Sequence, residues 1–294
     1  MTDTRTGFDD VSLGGPDRPP VPEGASAEVA EAVNALYTDG TIGKKGAFSR
    51  EWVTDMAEDI YVAFHQALAR KGGAMGRGPR RYYVEIHPEQ MRGWLELVDH
   101  PWVREVSEAV LGPEYQIVEL GFDIPFPGAK NQPWHRDFRM PDETRHGKRL
   151  TSLAFNLTAV DTVEEMGPFE IAHGTQWDHS AEFDHGMFPP KELYPRYLER
   201  AVRKYPSMGD IAVRSALTIH RGTQNHSSQP RPVLVLGMDA PGAGNADHHD
   251  MAVTRAFFDS LPQRVREHLV CPVVDELTPI TQKHDIEGLM MGGA

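Results

Sequence analysis

The chain has 294 residues, 39% apolar and 25% charged, with a formal net charge of −13 and one cysteine, Cys271. The length suffices for a large core in one or two domains, while a lone thiol excludes an intrachain disulfide and a cysteine-rich zinc site. The acidic balance argues against nucleic acid as a partner, and no apolar run approaches the roughly 20 residues of a membrane helix. The first residues lack a secretory h-region, so a cytoplasmic protein is expected.

Residues 1–24 hold Gly14, Gly15, Pro16, Pro19, Pro20 and Pro22 and few core-forming side chains, which predicts a flexible N-terminal arm. Residues 25–294 then read as one domain. After Ser26, a plausible cap, Val29, Val33 and Leu36 fall at helical spacing. The signal repeats from Glu51 to Ala69 with Val53, Met56, Ile60, Phe64 and Leu68. Residues 71–81 (KGGAMGRGPRR) are glycine-rich and basic but lack phosphate-loop spacing, so a mobile loop is expected. A further helix over 101–111 stops at Gly112-Pro113. Thereafter short runs at 115–122, 150–160, 167–171, 210–214 and 231–238 are rich in Val, Ile, Leu and Phe and bounded by Gly, Pro and Asp. Helices followed by many short strands predict helices packed on a β-sandwich or barrel. His226 in a polar loop reads as solvent-exposed, and His248-His249-Asp250, after Gly242 and Gly244, as a surface cluster or lid.

His135 and Asp137 stand at i and i+2, so on a strand both project to one face. The pair alone is a weak signal in a chain with 14 histidines. His220 closes a distant β-like run and supplies a third ligand. Two imidazoles and one carboxylate make the facial triad of non-haem Fe(II) oxygenases, which leaves the opposite side of the metal open. A hairpin over 209–232 is expected to bring Arg231 near His220, where its planar guanidinium can grip a carboxylate in bidentate fashion.

Five segments in order resemble the phytanoyl-CoA dioxygenase-like branch of the Fe(II)/2-oxoglutarate-dependent oxygenases, over about residues 30–240. They are LYTDGTIGKKGAFSREWV (36–53), LVDHPWVREVSEAVLGPEY (97–115), QPWHRD (132–137), EEMGPFEIAHGTQW (164–177) and the stretch from Gly209 to Arg231. The resemblance implies a mainly β protein with flanking helices around a double-stranded β-helix (jelly-roll, cupin-like) core. It implies Fe(II), O2 and 2-oxoglutarate, the last converted to succinate and CO2. Carried over by position, His135, Asp137 and His220 would bind iron and Arg231 the far carboxylate of 2-oxoglutarate. Asn156 and Thr223 are further co-substrate candidates. Met166, His173 and Gln176 depart from the family's usual Asn, Pro and His at the mouth of the site, which bears on the substrate. Asp137 sets the chain apart from halogenating relatives, which carry a small residue there.

Trp134, Phe138, Arg139, His173 and Trp177 are candidate substrate contacts. The expected partner is a small molecule, not nucleic acid or membrane; no oligomeric state follows. The expected reaction is oxidation of a C–H bond in specialised metabolism such as antibiotic biosynthesis, with hydroxylation as the default. Desaturation, ring closure and epoxidation use the same triad. A cupin-like metalloenzyme without 2-oxoglutarate and a non-catalytic ligand-binding sandwich are the other classes.

Overall fold

A computed structural model describes residues 14–17, 19–179 and 183–282. Helix α1 (Ala27–Thr38) begins where the Ser26 hydroxyl accepts from the Val29 amide, and Gly40, at φ 82°, turns the chain into β1 (Thr41–Lys44). Ser49 caps α2 (Arg50–Leu68) in the same way. Next come β2 (Met75–Gly76), β3 (Arg81–Glu85), α3 (Trp94–Val98), α4 (Pro101–Leu111) and β4 (Gln116–Pro125). They are followed by α5 (Asp142–Arg145), β5 (Ser152–Thr158), β6 (Phe169–Ala172), α6 (Tyr194–Arg200) and β7 (Ala201–Lys204). Strands β8 (Ile211–Ser215), β9 (His220–Gly222), β10 (Val233–Asp239) and β11 (Val253–Thr254) precede α7 (Arg255–Ser260), α8 (Gln263–Arg266) and β12 (Val273–Val274).

Seven strands form an antiparallel sheet in the order β1-β8-β5-β10-β4-β3-β2, and three form a smaller sheet, β7-β6-β9. The large sheet has two different faces because strand side chains alternate. Leu120, Phe122 and Ile124 of β4, Leu153, Phe155 and Leu157 of β5, and Leu234, Leu236 and Met238 of β10 face one way. They form a single core with the apolar stripes of α1, α2 and α4, Trp102 meeting Phe155 edge-on. Each such side chain contributes roughly 1.5–3 kcal/mol on burial. Their neighbours Glu119 and Asp123, Ala154, Asn156 and Thr158, and Val233, Val235 and Gly237 face a cavity of about 730 Å³. Phe169 and His220 reach the same cavity from the small sheet.

This is the expected jelly-roll architecture, with three local differences. The 71–81 segment is an edge hairpin, with Met75 opposite Tyr83, rather than a free loop. The 209–232 stretch is not a hairpin. Its first strand, β8, belongs to the large sheet, β9 crosses to the small one beside β6, and the chain returns to the large sheet only at Val233. The reason is pairing: His220 opposes Ile171 on one side and exchanges backbone hydrogen bonds with His135 on the other. Of the predicted arm, residues 1–13 and 18 lie outside the described residues. Of the rest, Lys148 donates to the Gly14 carbonyl and Val21 packs on the main core.

Candidate active site

His135 and His220 are locked side by side by a reciprocal pair of backbone hydrogen bonds of 3.0 and 2.8 Å. The segment carrying His135 is irregular rather than a strand, yet the i, i+2 projection survives. The Asp137 amide donates to the Ala216 carbonyl. Arg136, between the two, points away to the Asp178 carbonyl and the Phe183 ring. One potential ligand atom from each of His135, Asp137 and His220 lies within 4.8 Å of the others.

The tautomers follow from the carbonyls behind the rings. Nδ1 of His135 is 2.9 Å from Pro133 O, and Nδ1 of His220 is 2.9 Å from Thr218 O. A carbonyl can only accept, so each Nδ1 carries the proton and each Nε2 keeps its lone pair for a metal. Burial then disfavours a second proton: it brings His135 down to about 4, and burial with the nearby Arg214 pushes His220 well below the usual imidazole range. Burial also opposes ionisation of Asp137, but the Arg214 guanidinium outweighs it, and the carboxyl is held down at about 2. Arg214 donates to Asp137 Oδ2 at 2.5 Å, while Oδ1 lies on the histidine side, 3.4 Å from His220 Nε2. The centre thus offers two neutral imidazole nitrogens and one carboxylate oxygen, with the second oxygen tied back.

A second polar group lies on the cavity floor. Arg81 forks onto both Asp123 oxygens at 2.9–3.0 Å, and Arg231, only 3% exposed, lines the same end. Burial and then Arg81 lower the Arg231 pKa to about 10, against the stabilising charge of Asp123. Arg81 Nη1 and Arg231 Nε are buried without a hydrogen-bond partner among the described residues. One carboxylate, engaged by Arg81, thus stands near two guanidiniums that leave donors unmet, an arrangement that a ligand carboxylate would complete.

Residues 36–233 match the family described as phytanoyl-CoA dioxygenase (PhyH), which is most of the chain. The chain belongs to the phytanoyl-CoA dioxygenase family. Its enzyme class is that of the 2-oxoglutarate-dependent non-haem iron dioxygenases. Solved structures share the fold. EctD from S. alaskensis, with 2-oxoglutarate and 5-hydroxyectoine, superposes with a TM-score of 0.61 at 17% identity, covering 80% of this chain and 85% of that one. The epimerase SnoN, in complex with Fe3+, α-ketoglutarate and nogalamycin RO, gives 0.57 at 18% identity over 74% and 92%. The carbocyclase SnoK from nogalamycin biosynthesis gives 0.55 at 19% over 78% and 92%.

Within the family's fold the candidate residues separate cleanly. His135, Asp137, His220, Arg231, Asn156, Phe138 and Arg139 all line the cavity. Thr223 does not; it is buried and its hydroxyl donates to Pro168 O at 2.7 Å. Trp134 is fully buried in a separate small core with Tyr197 and Ile219, under the Arg221 guanidinium. Trp177 packs in the main core and donates to Tyr37 O, while Gln176 donates to the terminal carbonyls of α1. His173 sits outside the cavity near Lys204 and Asp39. The mouth departures at 173 and 176 are therefore answered by structural contacts.

Sequence reasoning missed Arg81, Tyr83, Glu85, Glu119 and Arg214, and left His249 between a surface cluster and a lid; all six line the cavity. A signal exists for the first three: Arg81, Tyr83 and Glu85 alternate on β3, of which only Arg81 falls within the basic 71–81 segment. His249 is no surface residue. It lies 3.8 Å from both Glu85 and Glu119. Burial opposes its protonation, but Glu119, Glu85 and Asp239 outweigh that and raise its pKa to about 9.

Proposed function

We propose that this dioxygenase hydroxylates a C–H bond of a small molecule, with His135, Asp137 and His220 holding Fe(II) and Arg231, helped by Arg81, holding the far carboxylate of 2-oxoglutarate. The observation that carries the reading is the facial set of two Nε2 atoms and one carboxylate oxygen opening onto a cavity with unsatisfied arginine donors. That donor set suits a borderline divalent metal and leaves one face free. The chemistry such a metal supplies is O2 activation coupled to conversion of 2-oxoglutarate to succinate and CO2. The protein's own contribution is positional. Pro133 and Thr218 orient the imidazoles, Arg214 keeps Asp137 ionised and turned, and the apolar floor of Val233 and Val235 limits water. Asn156, on the same floor, is a further co-substrate contact. Neither a 2-oxoglutarate-independent cupin nor a binding sandwich explains two buried arginines with open donors beside a metal triad.

A role in natural-product metabolism, antibiotic biosynthesis included, is supported by the fold shared with EctD, SnoN and SnoK. The test needs no knowledge of the substrate. With Fe(II), uncoupled conversion of 2-oxoglutarate to succinate is expected, and a chelator stops it. Turnover in His135→Ala or His220→Ala equal to the wild type would remove the metal assignment. With a substrate in hand, product mass separates hydroxylation from desaturation, ring closure or epoxidation.

A further inference from the structure

The cavity floor is divided by charge. At its β2–β3 end, Arg81 pairs with Asp123, Arg231 lies close enough to feel both charges, and Arg77 lies over the Tyr83 ring with its guanidinium carbon 5.0 Å from the centroid. There cations outnumber carboxylates. Toward the other end the count inverts. Glu85, Glu119 and Asp239 project into the cavity from the neighbouring strands β3, β4 and β10. Among the described residues, the one basic group within 4.0 Å of these carboxylates is His249. Even with His249 protonated, three carboxylates face one positive charge.

Two of the three carry several hydrogen bonds from the protein. Asp239 accepts from Ser152 Oγ at 2.5 Å and from the Asn245 side chain and amide at 3.0 and 3.2 Å. Glu85 Oε1 accepts from the Asp250 and Met251 amides at 2.7 and 2.8 Å, and its Oε2 lies 3.8 Å from His249 Nδ1. Glu119 has no backbone donor among the described residues. Its Oε1 takes the Tyr83 hydroxyl, but Oε2 lies 3.8 Å from His249 Nε2, beyond hydrogen-bond reach.

The fold makes room for this carboxylate. A Cβ at Gly237 would sit 2.7 Å from Glu119 Cβ and 2.8 Å from its Oε2, and a Cβ at Gly121 would sit 2.4 Å from the Tyr83 hydroxyl. The sheet register then relates Glu119 to the triad. Glu119 pairs with Gly237, Gly237 with Ala154 and Ala154 with Arg214, the residue clamped on Asp137. Between Glu119 and Arg214 the floor holds only a glycine and an alanine across three strand spacings, about 14 Å. A low ridge of this kind leaves space for a small ligand between the open carboxylate oxygen and the triad.

We infer that Glu119 is the specificity-determining residue of this site and that the substrate is a small organic cation, its ammonium, amidinium or guanidinium group on Glu119 and its reacting C–H bond toward His135, Asp137 and His220. The inference rests on the oxygenase reading of the triad. The arginine end takes the dianionic co-substrate, and the acid end takes a ligand of opposite sign. A cation at Glu119 gains a charge-assisted hydrogen bond in a desolvated site, whereas an anion there meets the excess carboxylates.

The test is binding rather than turnover. Protein loaded anaerobically with Fe(II) and 2-oxoglutarate is titrated calorimetrically with 1,5-diaminopentane, with the isosteric pentane-1,5-diol and with glutarate. The diamine is expected to bind at least tenfold more tightly than the diol and without displacing 2-oxoglutarate, whereas glutarate competes with it. Glu119→Gln is expected to erase the preference for the diamine and to leave 2-oxoglutarate affinity unchanged. Should that variant not fold, the diamine-to-diol contrast in the wild type decides alone. Equal binding of diamine and diol, or binding of neither, in protein that retains 2-oxoglutarate overturns the inference. Failure of the wild type to bind 2-oxoglutarate overturns the oxygenase reading, and the substrate class with it.

Discussion

Arg231 shows how a single residue can be committed to a ligand before the ligand arrives. It is buried beside a second guanidinium, the nearby Asp123 is engaged by Arg81, and its Nε–H stays unmet among the described residues. Losing one member of a buried charged pair costs on the order of 2–5 kcal/mol, which is at least about tenfold in affinity. Arg231→Ala is therefore expected to raise the half-saturating 2-oxoglutarate concentration at least tenfold at saturating Fe(II). Arg231→Lys should recover part of this, because an ammonium cannot reproduce the planar fork. Iron affinity should stay the same in both. Identical half-saturation in wild type and both variants would sink the assignment. The same logic reads Arg214 as the partner of Asp137: its Nη1 holds the outer oxygen at 2.5 Å, and its Nη2 makes only a long contact of 3.4 Å to the inner one, which faces the histidines.

At the scale of the element, β10 carries its meaning in alternation. Leu234, Leu236 and Met238 enter the helix-backed core, and Val233, Val235 and Gly237 form the cavity floor. Gly237 is needed for space rather than for an unusual φ, since the clash that a Cβ would make is with Glu119. Gly237→Ala should therefore cost about 1–3 kcal/mol by overpacking. Gly43, on edge strand β1, is a matched control: an added Cβ there meets nothing closer than 3.4 Å. Gly43→Ala should leave the melting temperature nearly unchanged or raise it slightly. Equal losses in the two variants, measured by denaturant unfolding, would show that the glycine matters for the strand and not for the carboxylate beside it.

For the whole molecule, the buried group with a pH signature near neutrality is His249, whose pKa rises from the usual 6.5 to about 9 on folding. Between those values the folded chain holds a proton that the unfolded chain has released. Its contribution to stability is thus complete below pH 6.5 and is lost as pH rises through 9. The displacement corresponds to as much as about 3 kcal/mol. Wild type should lose more stability than His249→Gln between pH 6.5 and 9.5 in chemical unfolding. Parallel profiles would mean that His249 is not charged between Glu85 and Glu119. The effect belongs to the molecule because His249 joins the segment after β10 to strands β3 and β4, which close one end of the cavity.

The sequence by itself determined the local directions. Helical segments at α1, α2 and α4, the apolar runs of the central strands, the i, i+2 pair His135 and Asp137, and the candidates His220 and Arg231 were all legible, because each depends on neighbouring residues or on a spaced pattern. Only the tertiary structure decided what those directions face. Trp134 and Trp177 sit in apolar cores, Thr223 and His173 are spent on structural contacts, and Arg81, Arg214, Glu119 and His249 converge on the cavity. The physical reason is that alternation gives a strand two faces without naming them. Which face meets helices and which meets a cavity is set by strand pairing across long stretches of chain, here by the crossing that puts His220 in the small sheet and Arg231 just before the large one, with both lining one cavity.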